Sequence, residues 1–173
     1  MNIPLRYEKA SFSSVSPEIK KAFDKIRKDR RGIYLHGSVG TGKTHTLYAL
    51  AKQLKEENFK VMVHNSTEFI YNVKREFDLQ PIDREHILER TLEFKGVLFI
   101  DDIGAEKMTD WVLETFYLII NKRYEERLPT VFTSNCTIAE LAERIGDRSA
   151  SRIVESCEIV ELSGQDRILK KSG

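Results

Sequence analysis

A glycine-rich segment near the start of the chain has the residue types and spacing of a phosphate-binding loop. It comprises Gly37, Ser38, Val39, Gly40, Thr41, Gly42, Lys43 and Thr44. Its glycines allow a tight turn with successive N–H groups pointing inward, which forms an anion-binding nest at a helix N-terminus. In such loops the lysine contacts the β- and γ-phosphates, and the threonine hydroxyl helps to hold Mg²⁺. We therefore predict that these eight residues bind a nucleoside triphosphate, with Lys43 acting in catalysis and Thr44 as a metal ligand.

The residues on either side of the loop predict the elements that position it. The apolar run Gly32–His36 is typical of a strand, and the run Thr44–Leu54 is typical of a helix. A strand that enters the loop and a helix that leaves it bring the loop N–H groups to one place at the helix N-terminus. A chance glycine-rich turn would lack these neighbours, so the context supports nucleotide binding.

Two consecutive carboxylates follow another predicted strand. Asp101 and Asp102 come directly after the apolar run Val97–Ile100, which is typical of a strand buried on both faces. Because ligands of open α/β sheets bind at the carboxyl ends of strands, we expect both carboxylates to face the phosphates. Asp101 is then a Mg²⁺ ligand, and Asp102 is a catalytic base for the attacking water. The alternative is a turn without chemical function.

Two later polar residues complete the candidate site. Asn135 follows the predicted strand Thr130–Thr133, and its amide can both donate and accept a hydrogen bond to orient the γ-phosphate or the water. The alternative for Asn135 is a turn or a helix cap. Arg148 and Arg152 lie four residues apart, on one face of a predicted helix. Arg152 either stabilises transition-state charge in the site of a neighbouring subunit or lies on a solvated face.

The composition is that of one globular domain. The chain has 173 residues, of which 40% are hydrophobic and 32% are charged, and its formal net charge is +1. Because the charges nearly balance, any nucleic-acid surface must be a local patch. Cys136 and Cys157 lack the spacing of a metal site or a disulfide framework, so we expect buried or half-buried thiols. The sequence has neither a long apolar run nor a signal-peptide pattern, and we expect a cytoplasmic protein without a membrane partner.

Apolar runs alternate with helix-forming segments along the whole chain. Beyond the elements already named, we expect strands at residues 60–64 and 158–162, and helices at 17–29, 66–76, 81–94, 110–126, 138–145 and 149–156. This alternation predicts an α/β fold with right-handed βαβ units and a mostly parallel sheet. Residues 1–16 are expected to form an extended lead-in, and residues 17–173 the domain. Trp111 is expected in the core, beneath the helix at 110–126.

Taken in chain order, these motifs resemble those of a known family. Together they look like the AAA+ ATPase domain of bacterial helicase loaders of the DnaC/DnaI type, and of the related IstB transposition helpers. The segments that carry the resemblance are the glycine-rich loop, the run Leu98–Glu106, the strand end Thr133–Asn135 and the helical pair Ser151-Arg152. The resemblance covers most of the chain. It implies a three-layer P-loop NTPase, a RecA-like AAA+ core with a mostly parallel five-stranded sheet and no helical lid domain. It also implies ATP and Mg²⁺ as cofactors.

The same resemblance implies a role for each matching residue. Lys43 and Thr44 match Walker A, Asp101 and Asp102 match Walker B, Asn135 matches sensor 1, and Arg152 matches the arginine finger. Arg167 is a candidate for sensor 2, and Ile3–Tyr7 resembles the segment that lies near the adenine. Many AAA+ proteins have Glu at the position of Asp102. Because Asp reaches less far, we expect slow, assembly-dependent ATP hydrolysis.

The function implied by the resemblance is that of an ATPase that loads the replicative DNA helicase. Such a protein engages single-stranded DNA and self-associates through Arg152 in trans. Loaders carry an N-terminal domain that grips the helicase, and the 31 residues before the first predicted strand are too few for it. The sequence is therefore either a trimmed ATPase domain or a short relative. Three other functions stay open: an IstB-like transposition helper, a nucleotide-gated binding module with little turnover, and a small-molecule kinase.

Basic and aromatic residues after the second predicted strand are candidates for a single-stranded DNA surface. They are Tyr71, Lys74, Arg75 and Phe77. Phe69 lies on the apolar stripe of the same helix, so we expect it in the core. The denser basic cluster at residues 20–31 is interleaved with acidic residues and is expected to be a solvated helix face.

Overall fold

The computed structural model describes residues 3–164, in which helices cover both faces of a central sheet. The sheet is parallel throughout, with the strand order β2-β3-β4-β1-β5. Its strands are β1 (Gly32–His36), β2 (Val61–Asn65), β3 (Val97–Asp101), β4 (Thr130–Ser134) and β5 (Cys157–Glu161). All residues of β3 and β4 are buried, and for β3 the apolar run Val97–Ile100 predicts this. The predicted five-stranded parallel sheet is confirmed.

Seven α-helices flank the sheet in the described residues. They are α1 (Pro17–Asp29), α2 (Lys43–Glu56), α3 (Ser66–Glu76), α4 (Ile87–Glu93), α5 (Asp110–Glu125), α6 (Ile138–Ile145) and α7 (Asp147–Ser156). Polar side chains cap several of them: Ser16 accepts the Ile19 N–H at 3.4 Å, and Thr137 and Glu140 form a reciprocal capping box. None of these helices has the length and apolar character needed to cross a membrane.

Successive side chains of each strand point into two hydrophobic cores on opposite faces of the sheet. Ile33 and Leu35 of β1 pack with α1 and α2, whereas Tyr34 packs on the other face with α3, α5, α6 and α7. Because helices cover both faces, a ligand can approach the central strands at their ends. Cys157 is buried and Cys136 is half-buried, as the sequence predicts.

The segment before α1 differs from the extended lead-in that the sequence predicts. It contains two 3₁₀ turns, at Leu5–Tyr7 and Phe12–Ser14. Ala10 and Val15 are buried in the same core as α1 and α2, with exposed fractions of 1% and 6%. Burial of these apolar side chains favours the turns over an extended course. The domain boundary at residue 17 stays a prediction.

The prediction of one helix from Pro81 to Phe94 is wrong. A 3₁₀ turn covers Pro81–Asp83, and α4 begins only at Ile87. The residue before it, His86, has a φ of +53°, and this left-handed backbone interrupts a continuous helix. The Glu76 carboxylate accepts the N–H of Ile87 at 3.0 Å, which fixes the point where α4 begins.

A half-buried histidine on the edge strand β2 predicts a pH dependence of stability. Burial, assisted by the nearby charge of Arg90, lowers the pKa of His64 to about 4, and its Nε2 lies 3.0 Å from the Thr91 hydroxyl. Because the folded pKa is below the ordinary value of about 6.5, the unfolded chain takes up the proton first as the pH falls. The contribution of His64 to the free energy of unfolding is therefore fully present above about pH 6.5, and it is lost as the pH falls from 6.5 to 4.

The His64→Gln variant isolates this effect because glutamine keeps a polar nitrogen near Thr91. Between pH 7 and pH 5 we expect the native chain to lose about 1–2 kcal/mol more unfolding free energy than the variant. Urea unfolding at the two pH values measures the difference. His86→Asn, at an exposed position, is the control and should behave like the native chain. Equal losses in native chain and His64→Gln would show that His64 is not responsible.

Candidate nucleotide-binding site

The glycine-rich loop connects β1 to α2 at the carboxyl edge of the sheet. Gly40 and Gly42 have φ values of +83° and +94°, in the left-handed region that glycine adopts without steric cost. A Cβ atom on Gly37 would lie 2.4 Å from the carbonyl oxygen of Leu162, so a larger residue has no room there. The sequence therefore folds into a tight turn that ends where α2 begins, as a phosphate-binding nest requires.

Lys43 is the first residue of α2 and is only 7% exposed. Its Nζ donates hydrogen bonds to the carbonyl oxygens of Gly37 and Ser38, both at 2.8 Å. Burial lowers the pKa of Lys43, and the negative charges of Asp102 and Asp101 oppose that shift. The ammonium group is thus held inside the loop, close to the two carboxylates predicted to share the site.

Asp101, at the end of β3, joins the loop to the neighbouring strand. Its carboxylate accepts hydrogen bonds from the Thr44 hydroxyl at 3.0 and 3.2 Å, and from the Thr133 hydroxyl at 2.6 Å. Burial raises the pKa of Asp101, while the hydrogen bonds from Thr133 and Thr44 counteract the shift by stabilising the charged form. A carboxylate beside a hydroxyl suits Mg²⁺, which keeps its other positions for water and phosphate oxygens.

Asp102 has a left-handed backbone, with a φ of +60°. Its N–H donates to the Thr133 hydroxyl at 2.8 Å, and its carbonyl accepts from the Ser66 hydroxyl at the same distance. The side-chain amide of Asn135 donates to the Asp102 carboxylate at 3.3 Å. Contacts from three elements therefore fix a turn that holds the half-exposed carboxylate next to Asn135.

These residues border a cleft of about 760 Å³ at the carboxyl ends of the strands. Its lining residues are Arg6, Tyr7, Val39, Gly40, Gly42, Lys43, Thr44, His45, Asp102, Thr133 and Asn135. Tyr7 stacks on Tyr48 of α2 with ring centroids 4.9 Å apart, which holds the N-terminal segment against the cleft. The structure therefore brings the predicted loop, carboxylate and amide residues together in one place. Their individual roles stay predictions.

Three residues contribute to this geometry although the sequence analysis assigned them no role of their own. Thr133 contacts both carboxylate residues, and Ser66 holds the Asp102 backbone. Glu106 is 6% exposed and accepts the Gly104 N–H at 2.9 Å, so it fixes the far side of the same turn. Thr133 belongs to the strand end Thr133–Asn135 and Glu106 to the run Leu98–Glu106, so their place in these two motifs was the signal that could have identified them. Ser66 gave no such signal.

Arg152 does not line the cleft. It lies on α7, which packs against α5, and its guanidinium is over the rings of Tyr117 and Tyr124. Arg148 lies one turn earlier and is exposed. An action of Arg152 on phosphate in its own cleft is therefore not supported, whereas an action on a second chain stays a prediction. Arg167, the sensor 2 candidate, lies outside the described residues.

Within residues 3–164, no group of three or more Asp, Glu, His and Cys side chains could hold a metal ion by itself. Thr44 and Asp101 offer one hydroxyl and one carboxylate on adjacent elements. This small ligand set fits a cation that is also bound by the phosphates of a nucleotide, as Mg²⁺ is in P-loop proteins.

The chain matches the family described as IstB-like ATP binding protein over residues 21–173. It is 32% identical over 155 residues to the replicative helicase loader DnaI of Bacillus subtilis (strain 168), covering 88% of this chain and 48% of DnaI. It is 33% identical over 142 residues to the phage-like element PBSX protein XkdC of the same strain, covering 78% of this chain and 51% of XkdC. The chain thus spans about half the length of these curated relatives.

Solved structures show the same architecture. The DnaC helicase loader superposes with a TM-score of 0.80 at 25% identity, covering 92% of this chain and 100% of the solved chain. DnaI superposes with a TM-score of 0.76 at 27% identity, covering 95% of this chain and 94% of the solved DnaI chain. The replication initiator DnaA bound to AMPPCP and single-stranded DNA shares the fold, with a TM-score of 0.76 at 20% identity over 95% of this chain and 54% of the DnaA chain. With the family match over most of its length, the chain belongs to the IstB-like ATP-binding proteins.

Proposed function

We propose that this chain binds and hydrolyses ATP as the motor domain of a loader for the replicative DNA helicase. The observation that carries the proposal is one cleft at the carboxyl edge of the sheet, lined by Lys43, Thr44, Asp102 and Asn135. Asp101 is buried next to it and accepts a hydrogen bond from the Thr44 hydroxyl. The likeness to DnaI and to the DnaC helicase loader supports the choice of process.

In this proposal each residue has a task that its position supports. The loop N–H groups and Lys43 bind the phosphates, and the ammonium then exchanges its two carbonyl partners for phosphate oxygens. Thr44 and Asp101 hold Mg²⁺, which when bound neutralises charge on the β- and γ-phosphates. Asp102 accepts a proton from the attacking water, and Asn135 keeps that carboxylate and the water oriented. Because the Asp102 side chain is short, we expect slow turnover until a second chain completes the site.

An exposed group of side chains on α3 and α5 supports contact with single-stranded DNA. This group, here called the aromatic patch, consists of Tyr71, Lys74, Phe77 and Trp111. Tyr71 and Phe77 are 62% and 61% exposed. The Lys74 ammonium lies 5.2 Å from the centre of the Trp111 ring, and Phe77 meets the same ring edge-on at 6.1 Å. Aromatic faces beside a cation suit unstacked bases and phosphates.

Two aromatic residues next to the DNA candidates were expected to lie in the core. Phe69 is buried at 4% exposure, as its place on the apolar stripe predicts. Trp111 was expected in the core, and the structure supports this in part: its half-buried side chain packs against the core on one face of the sheet. The same ring, in the first turn of α5, also contacts Lys74 and Phe77.

The Phe77→Ala variant tests the aromatic patch. We expect single-stranded DNA affinity to fall about 5- to 100-fold, because loss of one stacked base costs roughly 1–3 kcal/mol. Fluorescence anisotropy of a labelled oligothymidine, at fixed salt and with ATP present, measures the change. Phe59→Ala is the matched control, since Phe59 is 39% exposed and lies outside the patch. Equal affinities in the two variants would remove the patch from the DNA surface.

The family match favours a second candidate, an ATP-dependent transposition helper. Such a protein would act on duplex DNA with a transposase, whereas a loader acts on single strands with a helicase. The same anisotropy assay with single-stranded and duplex oligonucleotides separates the two functions. Tighter binding of duplex would favour the transposition helper.

ATP hydrolysis per subunit, measured against protein concentration with and without single-stranded DNA, tests the leading proposal. We expect the rate to rise with concentration and with DNA, because the active site is shared between chains. Addition of the purified replicative helicase should give a complex that forms with ATP and is lost in Lys43→Ala. A flat rate that ignores DNA and helicase would contradict the proposal and would favour a nucleotide-gated binding module.

A further inference from the structure

Two tyrosines on one face of α5 surround the side chain of Arg152. Tyr117 and Tyr124 are seven residues apart, two helical turns, so both rings point toward α7. The guanidinium carbon of Arg152 lies 5.1 Å from the centre of the Tyr117 ring and 5.7 Å from that of Tyr124. These distances are those of cation–π contacts, so the arginine is held by two neutral faces.

Arg152 is not held by an acidic residue. No ion pair among the described residues includes it, and its half-buried side chain has an Nε without a hydrogen-bond partner. The nearest acid on its own helix, Glu155, lies three residues on and is within reach of such a pair. Glu155 instead accepts hydrogen bonds from the hydroxyls of Tyr124, at 2.5 Å, and Ser151, at 3.2 Å. The guanidinium is therefore held without a direct ion pair to a carboxylate of the described residues.

The charge borders an open groove. A surface depression of about 410 Å³ lies beside the two helices, and its wall carries two arginines and two acids: it is lined by Tyr124, Asp147, Arg148, Ser151, Arg152 and Glu155. Arg152 does not line the cleft of its own chain, so the phosphate that it would meet in the proposed function is bound by another chain. The γ-phosphate of ATP in a second copy fits both the charge and the predicted shared site.

We propose that Tyr117 and Tyr124 are positioning residues that hold Arg152 ready to enter the ATP site of a second copy of this chain. This inference rests on the proposed function and names the side chains that control its shared site. Two aromatic faces restrict a long, flexible side chain without neutralising it, whereas a carboxylate would compete with the phosphate for its charge. Tyr124 has a second task, because its hydroxyl keeps Glu155 away from Arg152.

Mixing of variants that are separately inactive tests the proposal. Acceptor chains carry Arg152→Ala and keep their ATP site, whereas donor chains carry Lys43→Ala and keep Arg152. We expect the mixture to hydrolyse ATP, because the donor supplies its arginine to the acceptor site. Adding Tyr117→Leu to the donor should lower the maximal rate of the mixture about 10- to 100-fold, with little change in KM. Tyr117→Phe, which keeps the ring, should restore the rate.

Controls separate positioning from folding. Leu118→Ala on the exposed side of α5 should leave the rate of the mixture unchanged. Thermal unfolding of each donor shows whether the fold is intact, and Tyr117→Met replaces Tyr117→Leu if that variant is unstable. At the second tyrosine, Tyr124→Phe should lower the rate because it releases Glu155 toward Arg152. Adding Glu155→Gln to that donor should restore the rate, which a merely structural role for Tyr124 would not predict.

The outcomes distinguish the inference from the function on which it rests. If Lys43→Ala donors fail to restore hydrolysis in Arg152→Ala acceptors, the shared site of the proposed function is wrong. If they restore it and Tyr117→Leu donors restore it equally well, the shared site stands and the positioning role of Tyr117 is overturned. If Tyr117→Phe donors restore ATP hydrolysis in the mixture and Tyr117→Leu and Tyr117→Met donors do not, the inference is supported.

Discussion

Replacement of Lys43 by alanine is expected to weaken ATP binding by at least about two orders of magnitude. The native ammonium is buried in the loop and donates hydrogen bonds to the carbonyl oxygens of Gly37 and Ser38. Exchange of those partners for phosphate oxygens gives charge-assisted hydrogen bonds, and loss of about 3 kcal/mol corresponds to roughly a 100-fold weaker Kd. Isothermal titration with ATP and Mg²⁺ measures the change.

Two controls make the Lys43 result specific. Lys95→Ala removes a surface lysine that pairs with Glu126, and it should bind ATP like the native chain. Lys43→Met keeps the length of the side chain without its charge, so it separates loss of the ammonium from a change in loop shape. Because burial already lowers the pKa of Lys43, we expect neither Lys43 variant to lose much thermal stability. Unchanged ATP affinity in both variants would contradict the assignment of the site.

Replacement of Arg152 by alanine is expected to leave ATP binding near normal and to reduce hydrolysis by about a thousandfold or more. The reason is the location of the residue: Arg152 lies beside Tyr117 and Tyr124 and does not line the cleft of its own chain. Its effect is therefore confined to the transition state in an assembled site. Titration with ATP measures the binding affinity, and single-turnover hydrolysis at high protein concentration measures the rate of the chemical step.

Arg148→Ala is the matched control for Arg152, since Arg148 lies one turn earlier on the same helix and is exposed. We expect a smaller loss of hydrolysis because none of the cation–π contacts of Arg152 is repeated at Arg148. If Arg148→Ala abolishes hydrolysis while Arg152→Ala hydrolyses normally, the arginine finger is assigned to the wrong residue. Normal hydrolysis in both variants would exclude a shared site built on α7.

The local patterns of the sequence were sufficient for the sheet and for the position of the loop. Gly32–His36 and Val97–Ile100 are apolar runs of strand length, and each is followed by polar residues that can bind a nucleotide. Once parallel strands are predicted, their carboxyl ends must meet at one edge. The sequence alone therefore predicts that Lys43, Asp101 and Asn135 lie close together. It could not place residues whose contacts depend on side-chain directions.

Boundaries and exposure were the features that sequence patterns predicted incorrectly. The run 81–94 has helix-forming residues, yet a left-handed His86 and the Glu76 carboxylate delay α4 until Ile87. Trp111 follows the apolar periodicity of α5, yet its side chain is only half-buried, because it lies in the first turn of the helix beside Phe77 and Lys74. In both cases contacts between elements distant in sequence outweigh the local preference.

An α/β fold with a phosphate-binding loop follows from the sequence alone, because glycine spacing and strand-to-loop order are properties of neighbouring residues. Which side chains fix the carboxylates depends on the packing of strands and helices that are distant in the chain. Thr133 reaches Asp101 and the Asp102 backbone across adjacent strands, and Arg152 lies between two rings of another helix. Such contacts depend on strand register and helix packing, which set distances between residues far apart in the chain.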